Sequence, residues 1–372
     1  MMHQKLKLLS LFILIAIPSF AQEVGTVSSG RLDILRDAGE DGFKRAIDVR
    51  SFDFPADHGP HPGYRHEWWY ATGNLDGPDR RRFGYELTFF RLALTPEGEE
   101  TALSSKWQTP VVFAAHFAVT DAVNDDFIFF HRYARGDQRL AGATVDKIWL
   151  ENWSLEPSED TWTLVAEEGD IKLELDLKQI KPAVLNGEAG LSRKSATPGN
   201  ATYYYTLPRL ESSGILTIKG EQVPVNGLTW LDREWGTSAL ADDQQGWDWF
   251  SLHLDDGNDL MFYNLRGADG SRHPFSAGTW VDADGHNQSL VPEDVDIEVI
   301  DYWQSPLGGR YPSGWQLSFS DKNMSITIKP IMKKQELVTF PRYWEGAVDV
   351  TGTKDGKPIF GRGYVELTGY SN

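Results

Sequence analysis

Two stretches of the chain bring ionisable and aromatic side chains together at strand spacing: YRHEWWYATG at 64–73 and LTWLDREWGT at 228–237. In a strand, alternate residues share a face. In the first stretch His66, Trp68 and Tyr70 fall on one side, and Arg65, Glu67 and Trp69 on the other. In the second, Trp230, Asp232 and Glu234 share a face, with Leu231, Arg233 and Trp235 opposite. Asp232 and Glu234 then stand about 7 Å apart along the strand. Two carboxyls on one apolar-walled face repel, and the pKa of one rises. A carboxyl held protonated near neutral pH is a usable general acid. The same residues admit a second reading, in which Glu67, Asp232 and Glu234 pair with Arg65, Arg91 and Arg233 in a network that joins domains. Both faces of the first stretch carry a tryptophan, so this strand is expected to be covered on both sides. Glu67 then needs a partner, because an unpaired buried carboxylate is costly.

Further aromatic walls follow. GWDWFSLHLDDG puts Trp247, Trp249, Ser251 and His253 on one face, and TYYYTLP puts Tyr203 and Tyr205 on one face with Tyr204 opposite. Such walls suit an apolar or conjugated ligand with a few polar anchors, and they equally suit a packed core. DHGPHPGYRHE supplies metal-ligating residue types in His58, His61, His66 and Glu67, but at a spacing that fits no metal motif, so neither a metal nor another cofactor is expected. His116, mid-strand among apolar residues, reads as a hydrogen-bonded core histidine. The chain has no nucleophile elbow, phosphate-binding loop or dinucleotide fingerprint.

The elements that must position these groups are strands. After Phe52, short runs rich in Val, Ile, Thr, Phe, Tyr and Trp alternate with Gly, Asp, Asn and Pro turn signals. In IKLELDLKQI, Ile171, Leu173, Leu175 and Leu177 alternate with charged residues, the pattern of a strand with one buried face. The expectation is an all-β protein of barrels or sandwiches. Residues 22–50 read as a helix-prone lead-in. WYATGNLDG (69–77) aligns without gaps on WFSLHLDDG (249–257), and each is followed by an aromatic strand ending in arginine, Arg91 and Arg266. A duplication follows from this, with domains at 51–237 and 238–372.

Residues 1–21 read as a signal peptide: Lys5 and Lys7, an apolar run from Leu8, and small residues before Gln22. A periplasmic or secreted location follows, with no integral membrane segment in the mature chain. Among 372 residues none is cysteine, so no disulfide forms there. With 54 acidic against 36 basic side chains the net charge is −18, which argues against nucleic acid and anionic lipid as partners. Fourteen tryptophans suit a cavity for an apolar ligand as well as a core.

HEWWYATGNLDG, YYYTLPRL, WLDREWGTSAL and GWDWFSLHLDDGNDLMFYNLR resemble the AttH/CrtC family of predicted secreted hydrolases and carotenoid 1,2-hydratase-like proteins. The resemblance runs from about Phe52 to the C-terminus. It implies two lipocalin-like antiparallel β-barrel domains packed side by side. The hydratase branch adds water across an isoprenoid double bond through a carboxylic acid, and Asp232 is the matching residue. Trp230 stands where that branch has a tyrosine, and Tyr203 and Tyr205 stand where it has a histidine and a tryptophan. A fungal branch performs pericyclic cyclisation, and other bacterial members resemble companions of ABC-type permeases.

Two functions are therefore expected. One is acid-catalysed hydration of an isoprenoid- or polyketide-like molecule, with Asp232 as proton donor, Tyr203, Tyr205 and Trp230 at the cation site, and Glu67, His66 and Glu234 tuning it. The other is a non-catalytic periplasmic carrier working with an ABC-type transporter. A hydrolase has no visible nucleophile–base pair to support it.

Overall fold

The computed structural model describes residues 32, 35–36, 42–98, 109–136 and 139–371. The leader expected at 1–21 lies outside the described residues, as does much of the lead-in. The described residues of the lead-in, 32, 35–36 and 42–50, hold no α-helix, which corrects the helix-prone reading: 42–50 is irregular chain with a turn and bends. Its polar groups bond to the body of the protein instead, with the Lys44 amide donating to the Gly63 carbonyl and Arg50 pairing with Asp57 at 2.8 Å.

Strands make up the rest. The first unit contains β1 (His66–Asp76), β2 (Arg82–Ala93), β3 (Val111–Asp121) and β4 (Asp126–Arg135). Short strands follow: β5 (Ala141–Ala143), β6 (Ile148–Leu150), β7 (Trp153–Ser158), β8 (Thr161–Glu168) and β9 (Ile171–Gln179). β10 (Val184–Leu185) and β11 (Leu191–Arg193) precede the long hairpin of β12 (Ala201–Ile218) and β13 (Glu221–Ser238). The sheet runs β4-β3-β2-β1-β13-β12-β9-β8-β7-β6-β5, with β10 and β11 on β12.

The second unit holds β14 (Gln244–Leu254), β15 (Asp259–Gly267), β16 (Ala277–Val281), β17 (Asn287–Leu290) and β18 (Asp296–Gln304). It continues with β19 (Arg310–Phe319), β20 (Met324–Pro330), β21 (Glu336–Leu337), β22 (Tyr343–Lys354) and β23 (Lys357–Leu367). Its order is β17-β16-β15-β14-β23-β22-β20-β19-β18, with β21 on β22. The first sheet curls into a nearly closed barrel and the second into a half-barrel, both lipocalin-like.

The two sheets repeat one topology: four strands, then a jump to the last strand of the unit, then a return. The register corrects the gapless sequence alignment. Trp69 points into the first barrel's core, whereas Trp249 points out of the second barrel. A one-residue slip exchanges the faces of a strand, so by burial Trp249 corresponds to an outward residue of β1 such as Tyr70.

Each barrel has its own core. Leu173, Leu175, Leu177, Trp153, Trp162 and Trp235 belong to the first, and Phe250, Trp315, Leu317 and Trp344 to the second. Each such side chain contributes roughly 1.5–3 kcal/mol by leaving water. A third apolar layer, with Tyr70, Tyr204, Trp230, Trp249, Tyr263 and Tyr364, lies between the barrels. This is why strands such as β1 carry aromatics on both faces. At one end the sheets meet closely: a Cβ on Gly84 would lie 2.5 Å from that of Ala347. Asn74 Nδ2 donates to the Gly363 carbonyl at 2.9 Å there, and Arg82 and Arg362 reach Asp349 and Asp76 across the seam. Away from Gly84 the sheets part around a cavity.

Candidate active site between the two barrels

The cavity, of about 350 Å³, is walled by outward residues of β1, β2, β3, β12 and β13 on one side and of β14, β15, β22 and β23 on the other. Cross-strand register builds its floor. Directly opposed residues share a face, so Asp232 on β13, Tyr70 on β1, Thr88 on β2 and His116 on β3 form one row. The next row holds Tyr204, Glu234, Trp68, Phe90 and Ala114. The facing wall carries Tyr263, Trp249, Glu366 and Glu345 in a row of its own.

Asp232 is 3 % exposed. Oδ1 accepts from Thr206 Oγ1 at 2.5 Å and Trp230 Nε1 at 2.8 Å, and Oδ2 accepts from Tyr204 at 2.5 Å. The donors are fixed from behind. Trp249 Nε1 donates to the Tyr204 oxygen at 3.2 Å, and Asn186 Nδ2 donates to Thr206 at 2.8 Å. These hydroxyls therefore direct their protons at Asp232, and Oδ2 keeps one lone-pair direction free of them. Burial pushes the carboxyl up to about 7, Glu234 adds to this, and the three hydrogen bonds restrain it. Poised there, it can both give and take a proton at neutral pH.

Glu234 is the other acid of that face. It accepts from Thr202 and pairs with Lys194 at 2.8 Å. Burial would lower the Lys194 pKa, but Glu234 outweighs it and holds the ammonium charged. Lys194 also lies 4.4 Å from the Tyr263 ring centre.

Glu67 is on the opposite face of β1. It takes Arg91 at 3.1 Å, Arg233 and the His61 amide at 3.0 Å. Burial alone would raise its pKa, but Arg233, the His61 hydrogen bond and Arg91 outweigh it and hold the carboxylate far below its usual range. Glu67 is thus a fixed anion at the border of the cavity.

The aromatic residues divide by face. Trp68, Tyr70, Trp247 and Trp249 line the cavity. Trp230 sits behind Asp232 as a donor. Tyr203 and Tyr205, expected at the cation site, point instead into the first barrel's core against Trp235, because β12 pairs Tyr204 with Glu234 and so turns its neighbours inward. His253 shares the parity of Trp249 but lies further along β14, bonded to the Pro208 carbonyl at 2.8 Å at the seam. His66 lines the cavity, stacked on Trp68, and neither ring nitrogen has a partner among the described residues. Burial and then Arg65 lower its pKa to about 3, so it is a neutral imidazole. His58 and His61 are engaged separately, with Tyr205 at 2.6 Å and Asp57 at 2.9 Å.

Sequence reasoning did not find the acids of the facing wall. Glu345 and Glu366 are directly opposed on β22 and β23. Tyr70 donates to Glu345 Oε2 at 2.8 Å, while Oε1 is buried without a partner among the described residues, and Trp247 donates to Glu366 at 3.1 Å. Burial and then Glu366 and Glu86 push Glu345 well above the carboxylate range, and burial and then Glu86 push Glu366 up to about 8. Their only local signal is a single acid inside an apolar strand run, YWEGAV and GYVELTG.

Two lipocalin-like barrels that clasp an acid-lined apolar cavity define the class. The AttH-like family model matches residues 45–370, and the chain belongs to that family. A solved structure from Nitrosomonas europaea described as an AttH is 35% identical, covers 88% of this chain and 100% of its own, and superposes with a TM-score of 0.79. Kievitone hydratase from Nectria haematococca shares the fold at a TM-score of 0.65 and 17% identity, covering 88% of this chain and 98% of its own. Among curated proteins, kievitone hydratase of Fusarium solani subsp. phaseoli is 25% identical over 245 residues, 64% of this chain. The dehydratase asqC of Emericella nidulans is 25% identical over 199 residues, 50% of this chain. The matched regions take in 65% and 54% of those two relatives' lengths.

Proposed function

We propose that this protein exchanges water with an apolar small molecule in the inter-barrel cavity, as a hydratase or dehydratase, with Asp232 as the acid–base group. One observation carries the reading: a carboxyl poised near neutrality, held by three oriented donors, stands in the wall of an apolar cavity. The relatives named hydratase and dehydratase support the reaction class.

In the hydration direction Asp232 gives its proton to one alkene carbon, and the π pair becomes the new C–H bond. The adjacent carbon becomes a cation facing the rings of Trp68, Tyr70 and Trp249, whose faces favour positive charge. Water adds to that cation, and the proton it sheds returns to the Asp232 carboxylate. Dehydration is the same path reversed. Burial holds Glu345 and Glu366 protonated at neutral pH, so the opposite wall stays uncharged. The basic-then-apolar leader supports a periplasmic or extracellular setting for this chemistry.

The test is to incubate the purified protein with kievitone and with isoprenoid and polyketide extracts, following gain or loss of one water by mass. The wild type is expected to turn over at least one component, and Asp232→Asn to be slower by ~10²–10⁴-fold. Undiminished turnover in a folded Asp232→Asn protein overturns the assignment.

A further inference from the structure

His116 has no part in the chemistry above, yet it is 1 % exposed and lines the cavity. Nδ1 shares a proton with the Tyr343 hydroxyl at 2.6 Å, and the ring packs edge-on to Phe90. Nε2 has no hydrogen-bond partner among the described residues. A buried imidazole nitrogen left unpaired is costly, so at the edge of a cavity it marks a position where a ligand atom belongs.

Register says where that position is. His116 ends the row that begins at Asp232, with Tyr70 and Thr88 between them. Three strand spacings separate the two ends, about 14 Å. The middle members already have acceptors within the protein: Tyr70 donates to Glu345, and Thr88 to Glu86. The row therefore offers the cavity hydrogen-bonding groups at its two ends, with the rings of Trp68 and Phe90 alongside.

We propose that His116 is a specificity-determining residue: it holds a neutral oxygen, hydroxyl, phenol or carbonyl, at the far end of an elongated apolar substrate, about 14 Å from the carbon pair that exchanges water at Asp232. The near end of this assignment rests on the Asp232 reading. Neutrality of the far group follows from its surroundings. His116 faces Tyr343 from β22, His131 from β4 and Phe90 from β2, and burial followed by His131 lowers its pKa to about 3. A neutral imidazole donates through Nε2 in the tautomer whose Nδ1 accepts from Tyr343 and accepts through Nε2 in the tautomer whose Nδ1 donates to it, which suits an alcohol or a carbonyl. An anion here would meet the acids Glu86, Glu345 and Glu366 that act on Tyr343, and a cation would need one of those raised carboxyls to ionise.

The probes are the ten-carbon α,ω-diol, the ten-carbon primary alcohol and the six-carbon α,ω-diol, titrated against the cavity tryptophans' fluorescence. The wild type is expected to bind the ten-carbon diol about 3- to 10-fold more tightly than the alcohol, the effect of one added hydrogen bond, and to gain no such preference from the short diol. His116→Phe should bring the diol-to-alcohol ratio to about one, and His116→Gln should restore part of it. Equal affinities in the wild type, the same ratio in His116→Phe, or no binding of either ten-carbon probe overturns the proposal. The comparison of long and short diols in the wild type needs no variant, so a misfolded substitution leaves it decisive. The readout is binding. An Asp232→Asn protein that still exchanges water sinks the catalytic reading and leaves this result standing.

Discussion

Glu67 and Asp232 sit on adjacent antiparallel strands, β1 and β13, and both are buried, yet their environments drive them in opposite directions. Glu67 faces Arg233 and Arg91 and stays ionised far below its usual range. Asp232 faces neutral donors and aromatic walls and rises to about 7. Burial raises both acids, and what decides the outcome is whether a cation pairs with the carboxylate itself: Glu67 holds two arginines, whereas Lys194, the cation on the Asp232 face, pairs with Glu234. The strand's alternation supplies that difference within a few residues: Arg233 turns inward to Glu67 while Asp232, next to it in sequence, turns to the cavity. One face locks the fold and the other is poised for proton transfer.

The largest stability effect should come from breaking the locked side. Glu67→Gln leaves Arg233 and Arg91 buried without their anion and is expected to cost ~3–5 kcal/mol in denaturant unfolding. A loss below about 1 kcal/mol would show that the network is not what holds β1 to β13.

The pH response of stability should split the same way. Glu67, with its folded pKa depressed, contributes stability that is present above its ordinary value of 4.5 and lost as the pH falls through the lower folded value. Asp232, with its folded pKa raised, opposes folding as the pH climbs from about 4 to about 7, because the native state then holds a proton that the unfolded chain has released. Denaturation of wild type and Asp232→Asn between these limits should give a shallower fall of stability in the variant. Identical slopes would remove Asp232 from that titration.

A smaller effect should follow from prising the barrels apart at their tightest point. Gly84→Val would place side-chain atoms where Ala347 already lies and is expected to cost ~1–3 kcal/mol. Its altered seam should also weaken probe binding in the cavity. Unchanged stability would mean that the barrels slide freely at Gly84.

Part of this was legible in the sequence because it depends only on alternation. That Asp232 and Glu234 share a face, that Glu67 needs a partner, and that Trp247 and Trp249 face one way all follow from period two. What alternation cannot supply is which face meets what. Tyr203 and Tyr205 were separable from Tyr204, but only the pairing of Tyr204 with Glu234 puts Tyr204 at the cavity. His253 has the parity of Trp249 and still misses the site, because parity says nothing about position along a strand. Glu345 reaches Tyr70, far away in sequence, only through the packing of one barrel on the other, and Glu366 stands opposite Trp249 only through the pairing of β14 with the last strand of its sheet. His116 read correctly as hydrogen-bonded, but its unpaired second nitrogen is a property of the cavity and not of its neighbours in the chain.

The central claim is that Asp232 is poised near neutrality while its neighbour across the strand is not. Carbon-detected NMR of the carboxyl groups, with Asp232→Asn used to assign the Asp232 signal, tests it most directly. The account predicts a midpoint near 7 for Asp232, and a Glu67 signal that stays ionised throughout the range in which the protein remains folded. An Asp232 midpoint in the ordinary carboxylate range, near 3.8, would contradict it.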